Sequence, residues 1–102
     1  MGLRETTAQH EQLLAQLNEE RASALARISR TLESLLTQLH ETRARIVDAR
    51  EDTQAREVAK YQELRQRATL YRWYLEVQRE ALGLRHHHRL DEFYGIPAPI
   101  ER

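Results

Sequence analysis

The chain lacks helix-breaking residues over most of its length. Between Leu3 and Leu82 there is no glycine and no proline, a stretch of about 80 positions. Glycine and proline are the residues that most reliably stop a helix. The stretch is instead rich in Ala, Leu, Glu, Gln and Arg, which favour helix. These absences predict a nearly all-helical protein with a short irregular tail, because the other glycines and prolines lie at the ends: Gly2, Gly83, Gly95, Pro97 and Pro99.

Other absences narrow the class of protein. There is no cysteine, which excludes disulfides, thiolate nucleophiles and zinc fingers. No apolar run approaches the roughly 18 residues that span a bilayer, and the N-terminal segment lacks the apolar stretch of a signal peptide. We therefore expect a cytoplasmic protein without a membrane partner. Sixteen basic residues balance 16 acidic ones, so the chain is no bulk polycation. The basic residues are nearly all arginine, which indicates a bacterial source.

No pattern of residues predicts catalysis. The chain has no glycine-rich phosphate loop and no serine in a nucleophile turn. It also lacks the Glu-x-x-His ligand pairs of di-iron bundles. Its many carboxylates stand at salt-bridge spacing on helix faces that we expect to be exposed. The sequence therefore predicts neither an enzyme nor a cofactor-binding protein.

Two heptad patterns predict helix packing. Apolar residues recur at steps of three and four from residue 25 to residue 46, with Thr42 in one slot. Leu13, Leu14 and Leu17 continue this pattern upstream with a small phase shift. A second pattern, offset by one residue, runs from residue 61 to residue 82. We expect these residues to mediate helix packing and self-association: Leu25, Ile28, Leu32, Leu35, Leu39, Ile46, Leu64, Tyr71 and Leu75.

The segment 48–54 has few apolar residues at the positions where the heptad pattern expects them. Two folds are therefore possible there. In the favoured one, an all-α hairpin, two long antiparallel helices at about 6–47 and 54–82 dimerise into a four-helix bundle, with Asp48 or Asp52 capping the second helix. A turn near residue 50 places the bulky residues 70–77 opposite the small residues 23–30, and such layers interdigitate. The two flanking helical segments, at about 13–47 and 54–82, are also similar in length. In the alternative, one continuous helix of about 120 Å pairs in an antiparallel coiled-coil dimer.

The C-terminal part differs from the hairpin. Residues 1–84 form the helical region, and residues 85–102 form a basic turn, one short helical turn and a proline-containing tail. Gly83 suits the left-handed position that ends a helix. We expect one helical turn at 90–94 and extended backbone around Pro97 and Pro99. The apolar tail suits docking in a groove, on its own bundle, on a neighbouring subunit or on another protein.

A basic region overlaps the second helix. Between Arg65 and Arg89 there are six arginines, two glutamates and three histidines, interleaved with aromatic residues. This mixture is compatible with binding nucleic acid or another polyanion. Alternatively, the arginines cover the aromatic rings and pair with glutamates of the first helix. His86, His88 and His10 are candidate metal ligands, and the alternative is a solvated basic corner that complements the helix dipole.

These patterns favour recognition over chemistry. We predict a non-enzymatic protein–protein interaction module, a small self-associating scaffold or adaptor that presents an aromatic and arginine-rich end and a docking tail. Its partners are then a second copy and an unidentified protein. Binding of a polyanion through residues 65–89 is the alternative function, and metal binding through residues 86–88 is a second one. The residues expected to contact a partner are Trp73, Tyr74, Arg79, Phe93, Tyr94 and Ile96.

Overall fold

A computed structural model describes residues 3–100, with side chains from residue 4 onward, and shows three helices. They are α1 (Leu3–Asp48), α2 (Glu51–Ala81) and the single turn α3 (Leu90–Phe93), and the described part of the chain contains no strand. The long helices pack against each other. The molecule extends 74 × 22 × 15 Å, whereas one helix continuing to residue 82 would be about 120 Å long. The helical hairpin is therefore confirmed, and the continuous helix is wrong.

The turn between the long helices consists of Ala49 and Arg50 alone. Arg50 takes the extended backbone conformation and is the N-cap of α2, without a side-chain capping bond. The prediction that Asp48 or Asp52 caps this helix is therefore wrong. Asp52 accepts a hydrogen bond from the backbone N–H of the adjacent Thr53 at 2.9 Å. The turn is held instead by the Gln54 side chain, whose Nε2 donates to the carbonyl of Ile46 at 3.3 Å.

The helices are unequal in length, so part of α1 extends beyond the end of α2. Arg45 contacts Glu57 near the turn, and Arg21 Nη1 donates to the Ala81 carbonyl at 3.3 Å at the other end of α2. In both contacts the residue numbers add up to 102, so residue 81 lies level with residue 21. Residues 3–20, called the overhang below, therefore extend beyond α2 by roughly 27 Å. The predicted similarity in length does not hold, because α1 has 46 residues and α2 has 31.

The core lies between α1, α2 and the tail. Leu32, Leu39 and Tyr61 are fully buried, and Leu90 from α3 is 4% exposed. Thr42, which takes one core position of the heptad pattern, is fully buried. Its hydroxyl accepts a hydrogen bond from Arg45 Nη2 at 2.9 Å. That bond satisfies a polar group that would otherwise destabilise the interior. The other buried hydrophobic residues are Leu35, Leu36, Ile46, Val58, Leu64, Ala68 and Leu75.

Gly83 ends α2 as the sequence predicts. Its φ of +87° is left-handed, a conformation that costs most L-residues free energy. The Leu84 N–H donates to the Arg79 carbonyl, and the Gly83 N–H donates to the Glu80 carbonyl, each at 2.9 Å. This pair of bonds is the Schellman motif. It reverses the chain, so that the tail runs back along the hairpin.

Candidate interaction surfaces

The tail lies on its own hairpin. Tyr61 Oη donates to the Ala98 carbonyl at 2.7 Å, and Arg65 Nε donates to the Pro97 carbonyl at 2.9 Å. Arg72 forms an ion pair with Asp91. Prolines have no N–H, so this segment presents mainly acceptors, which the donors of α2 satisfy. Three tail side chains pack against the core: Tyr94, Ile96 and Ile100.

The structure divides the six predicted partner-binding residues into two groups. Trp73, Tyr74 and Phe93 are exposed, with Phe93 at 69%. The other three are engaged within the chain. Tyr94 and Ile96 pack on the core, and Tyr94 Oη lies 3.4 Å from Glu33 Oε1. The Arg79 guanidinium donates to His87 Nδ1 at 3.3 Å and to the His86 carbonyl at 2.9 Å.

The outer side of α2 carries a stripe of exposed apolar residues. Leu70, Trp73, Tyr74 and Val77, called the aromatic face below, are 36–57% exposed. Their spacing of three, one and three residues places them on one side of a helix. At 100° per residue this side lies opposite the buried residues Ala68 and Leu75. The Trp73 ring rests against Tyr74, with ring centroids 5.6 Å apart. Contiguous exposed apolar surface of this kind is typical of interaction sites.

The overhang carries a second uncovered stripe. Leu13, Leu14 and Leu17 are 54%, 47% and 38% exposed. They continue the heptad pattern of α1, but α2 ends before it reaches their level. Sequence reasoning did not select these leucines as site residues. The signal that would have found them is the unequal lengths of the helices, which depend on where the chain turns.

The predicted self-association residues lie inside a single chain. Four of them are almost completely buried between the hairpin helices: Leu32, Leu35, Leu39 and Leu75. Ile46 and Leu64 are also buried, while Leu25, Ile28 and Tyr71 are half-buried against the same core. The heptad pattern thus provides the contact between α1 and α2 of one molecule. The uncovered apolar surface lies elsewhere, on the overhang and on the aromatic face.

A basic cavity lies at the end of α2. It encloses about 300 Å³ and is lined by three arginines, two histidines and the Gly83–Leu84 turn: Arg79, Arg85, Arg89, His86 and His88. Among the described residues, no carboxylate lines it. Glu80 lies nearby and contacts His87 Nε2 at 3.1 Å. Such a concentration of donors and positive charge suits an anion.

The histidines do not assemble a metal site in the structure. The rings of His86 and His88 are 6.4 Å apart between centroids. Among the described residues, no three His, Cys, Asp or Glu side chains come close enough to hold one ion. His10 lies on the overhang, beyond the end of α2, and His87 is occupied by Arg79 and Glu80.

Comparison with known proteins gives no relatives: the chain matches no family model, and neither curated proteins nor solved structures match it significantly. Within residues 3–100, no helix combines the length and the apolar character needed to cross a bilayer.

Proposed function

We propose that this protein is a non-enzymatic interaction module, a small self-associating helical scaffold or adaptor. The observation that carries the proposal is the pair of uncovered apolar stripes, the overhang leucines and the aromatic face, on one hairpin. A helix that is apolar on nearly all sides needs cover on nearly all sides. The core covers only one side of α2, so the other side supports contact with another molecule.

The tail has two roles in this proposal. Its packed residues hold the end of the chain on the hairpin, and its exposed Phe93 presents one aromatic ring to the solvent. Phe93 is the most exposed of the tail side chains predicted to contact a partner. An anchoring aromatic side chain of this kind is typical of the small set of residues that dominate binding energy.

Sedimentation velocity tests the self-association directly. A concentration series of the full chain should show an assembly larger than the 12.1 kDa monomer, increasing with concentration as mass action requires. A single 12.1 kDa species at every concentration would refute self-association. Circular dichroism on the same samples is the control, because it shows that the helices are formed.

Binding of a polyanion is a second candidate function, favoured by the basic cavity. Anisotropy titration with a labelled single-stranded oligonucleotide should show binding that weakens steeply with salt, because phosphate contacts release counterions. Arg85→Gln with Arg89→Gln should weaken it, whereas Arg56→Gln at the distant turn should not. Arg79 is left intact because it holds the basic turn. Absence of binding at low salt would eliminate this candidate.

A further inference from the structure

Building on the proposed interaction function, we infer that the partner of both uncovered stripes is a second copy of this chain. The overhang of one copy packs on the aromatic face of the other, and a two-fold axis makes the contact reciprocal. Each chain contains both halves of this contact. Its own overhang cannot reach its own aromatic face, because that face points away from α1.

The spacing of the two stripes matches residue for residue. The overhang leucines stand at positions 13, 14 and 17, and the aromatic face has Trp73, Tyr74 and Val77 at the same intervals. If the two helices run parallel, a constant offset of 60 residues sets each leucine level with one residue of the aromatic face. The equivalent of Leu70 on the overhang is His10. Side chains in equivalent positions of two parallel helices form the layers of a coiled coil.

The lengths of the helices also agree with this register. An offset of 60 lays residues 3–20 of one copy along residues 63–80 of the other, which is the upper part of α2. Because α1 and α2 of one chain are antiparallel, the two copies then run in opposite directions. Two antiparallel copies exchange the same contact twice, and the assembly closes as a dimer. Each α1 thereby gains a neighbour along its whole length.

The overhang leucines continue the packed face of α1. At 100° per residue, Leu14 lies within roughly 10° of the line through Leu25 and Ile28, and the line through Leu13 and Leu17 is rotated from it by roughly 70°. In the proposed pairing the partner's α2 lies along this stretch of the overhang, beyond the last residue of the chain's own α2.

The charges of the two surfaces are opposite. Residues 4–20 contain one arginine and four glutamates, a net charge of −3. Residues 65–81 contain four arginines and two glutamates, a net charge of +2, which the ion pair of Arg72 with Asp91 reduces to +1. Opposite net charges favour the encounter of these regions, and like charges disfavour pairing of two overhangs or two aromatic faces. The pairing of unlike surfaces is therefore favoured over the alternatives.

Mixing of two charged variants tests this pairing in the full-length protein. Leu13→Glu with Leu17→Glu places acids on the overhang, and Trp73→Lys with Val77→Lys places bases on the aromatic face. By sedimentation equilibrium, each variant alone should be monomeric, with its dissociation constant raised about 100-fold or more. The wild type and the control Val47→Glu, whose side chain is 79% exposed near the turn, should be dimeric.

An equimolar mixture of the two charged variants should recover a heterodimer. In that heterodimer one contact joins glutamates to lysines, and the other joins the two unaltered surfaces. If both variants remain dimeric, or if the mixture stays monomeric, the pairing of these surfaces is refuted while self-association of the wild type still stands. If the wild type itself is monomeric at every concentration, the self-associating function fails as well.

Discussion

The two halves of α1 carry leucines at similar spacing and have different surroundings. In the half next to the turn, Leu32 and Leu39 are fully buried, whereas Leu13 and Leu14 on the overhang are about half exposed. Both halves belong to one continuous helix and are rich in the same helix-favouring residues. Local propensity accounts for the helix in both cases, and the presence of α2 opposite only one half accounts for the burial. Helicity in this chain is thus a local property, and burial depends on the position of the turn.

Truncating one leucine in each half should show the difference between the two halves most strongly. We expect Leu32→Ala to lower the free energy of unfolding by about 3–4 kcal/mol, because it opens a cavity in a close-packed core. Leu14→Ala should lower it by less than about 1 kcal/mol, since Leu14 is 47% exposed and lies beyond the end of α2. Urea unfolding at concentrations below self-association measures both. Equal losses would show that the overhang is packed within the monomer.

Removal of the tail should produce the next largest effect. A chain ending at Leu84 loses Leu90 from the core and exposes Tyr61, and we expect a loss of about 3 kcal/mol after the entropy of ordering the tail is subtracted. Thermal unfolding followed by circular dichroism measures it. Phe93→Ala, an exposed position of the same tail, is the matched control and should change stability by less than about 0.5 kcal/mol. An unchanged stability after truncation would mean that the tail is not part of the core.

A smaller loss should follow from Gly83→Ala. An added Cβ meets no atom within 4 Å, so the cost is the left-handed backbone alone, about 1 kcal/mol. Urea unfolding should detect it, and Gly83→Asn should recover part of the loss because asparagine tolerates this conformation better. If alanine is as stable as glycine here, the Schellman turn is not as described.

The smallest effect should come from Thr42→Val. Valine fills the buried slot with a similar shape, and Arg45, whose side chain is 47% exposed, can turn to water. We expect the free energy of unfolding to change by less than about 1 kcal/mol in either direction. Replacing the hydroxyl by a methyl group costs little when the former donor, Arg45, is hydrated instead. Chemical unfolding decides it. A loss approaching that of Leu32→Ala would show that the hydroxyl is essential to the core.

The helices and the end of α2 could be predicted from sequence because their causes are local. Absence of glycine and proline, the heptad spacing and Gly83 each act on their own neighbourhood. The turn at Ala49 and Arg50 has no such mark: neither residue breaks a helix strongly, and no side chain caps α2. The sequence therefore allowed both a hairpin and a continuous helix. The predicted start of the second helix, at about residue 54, is three residues beyond the observed start at Glu51.

The docking of the tail could not be assigned, for a different reason. The hydrogen bonds from Tyr61 to Ala98 and from Arg65 to Pro97 join residues more than 30 positions apart. No periodicity encodes such a contact, so the sequence allowed docking on the bundle, on a subunit or on a partner. The same limitation explains why Tyr94 and Ile96 were predicted to contact a partner, whereas the structure packs them on the core.

The central claim is that the chain folds back near residue 50, so that α2 covers only part of α1. The chain has no cysteine, so spin labels can be attached at Glu20→Cys and Ala81→Cys alone. Pulsed electron–electron double resonance then measures the distance between the two labels within one chain. An excess of unlabelled protein suppresses signals between copies. We expect the short separation of two packed helices, about 10 Å between axes plus the labels. A separation near 90 Å, the length of about 61 residues of unbroken helix, would contradict the account.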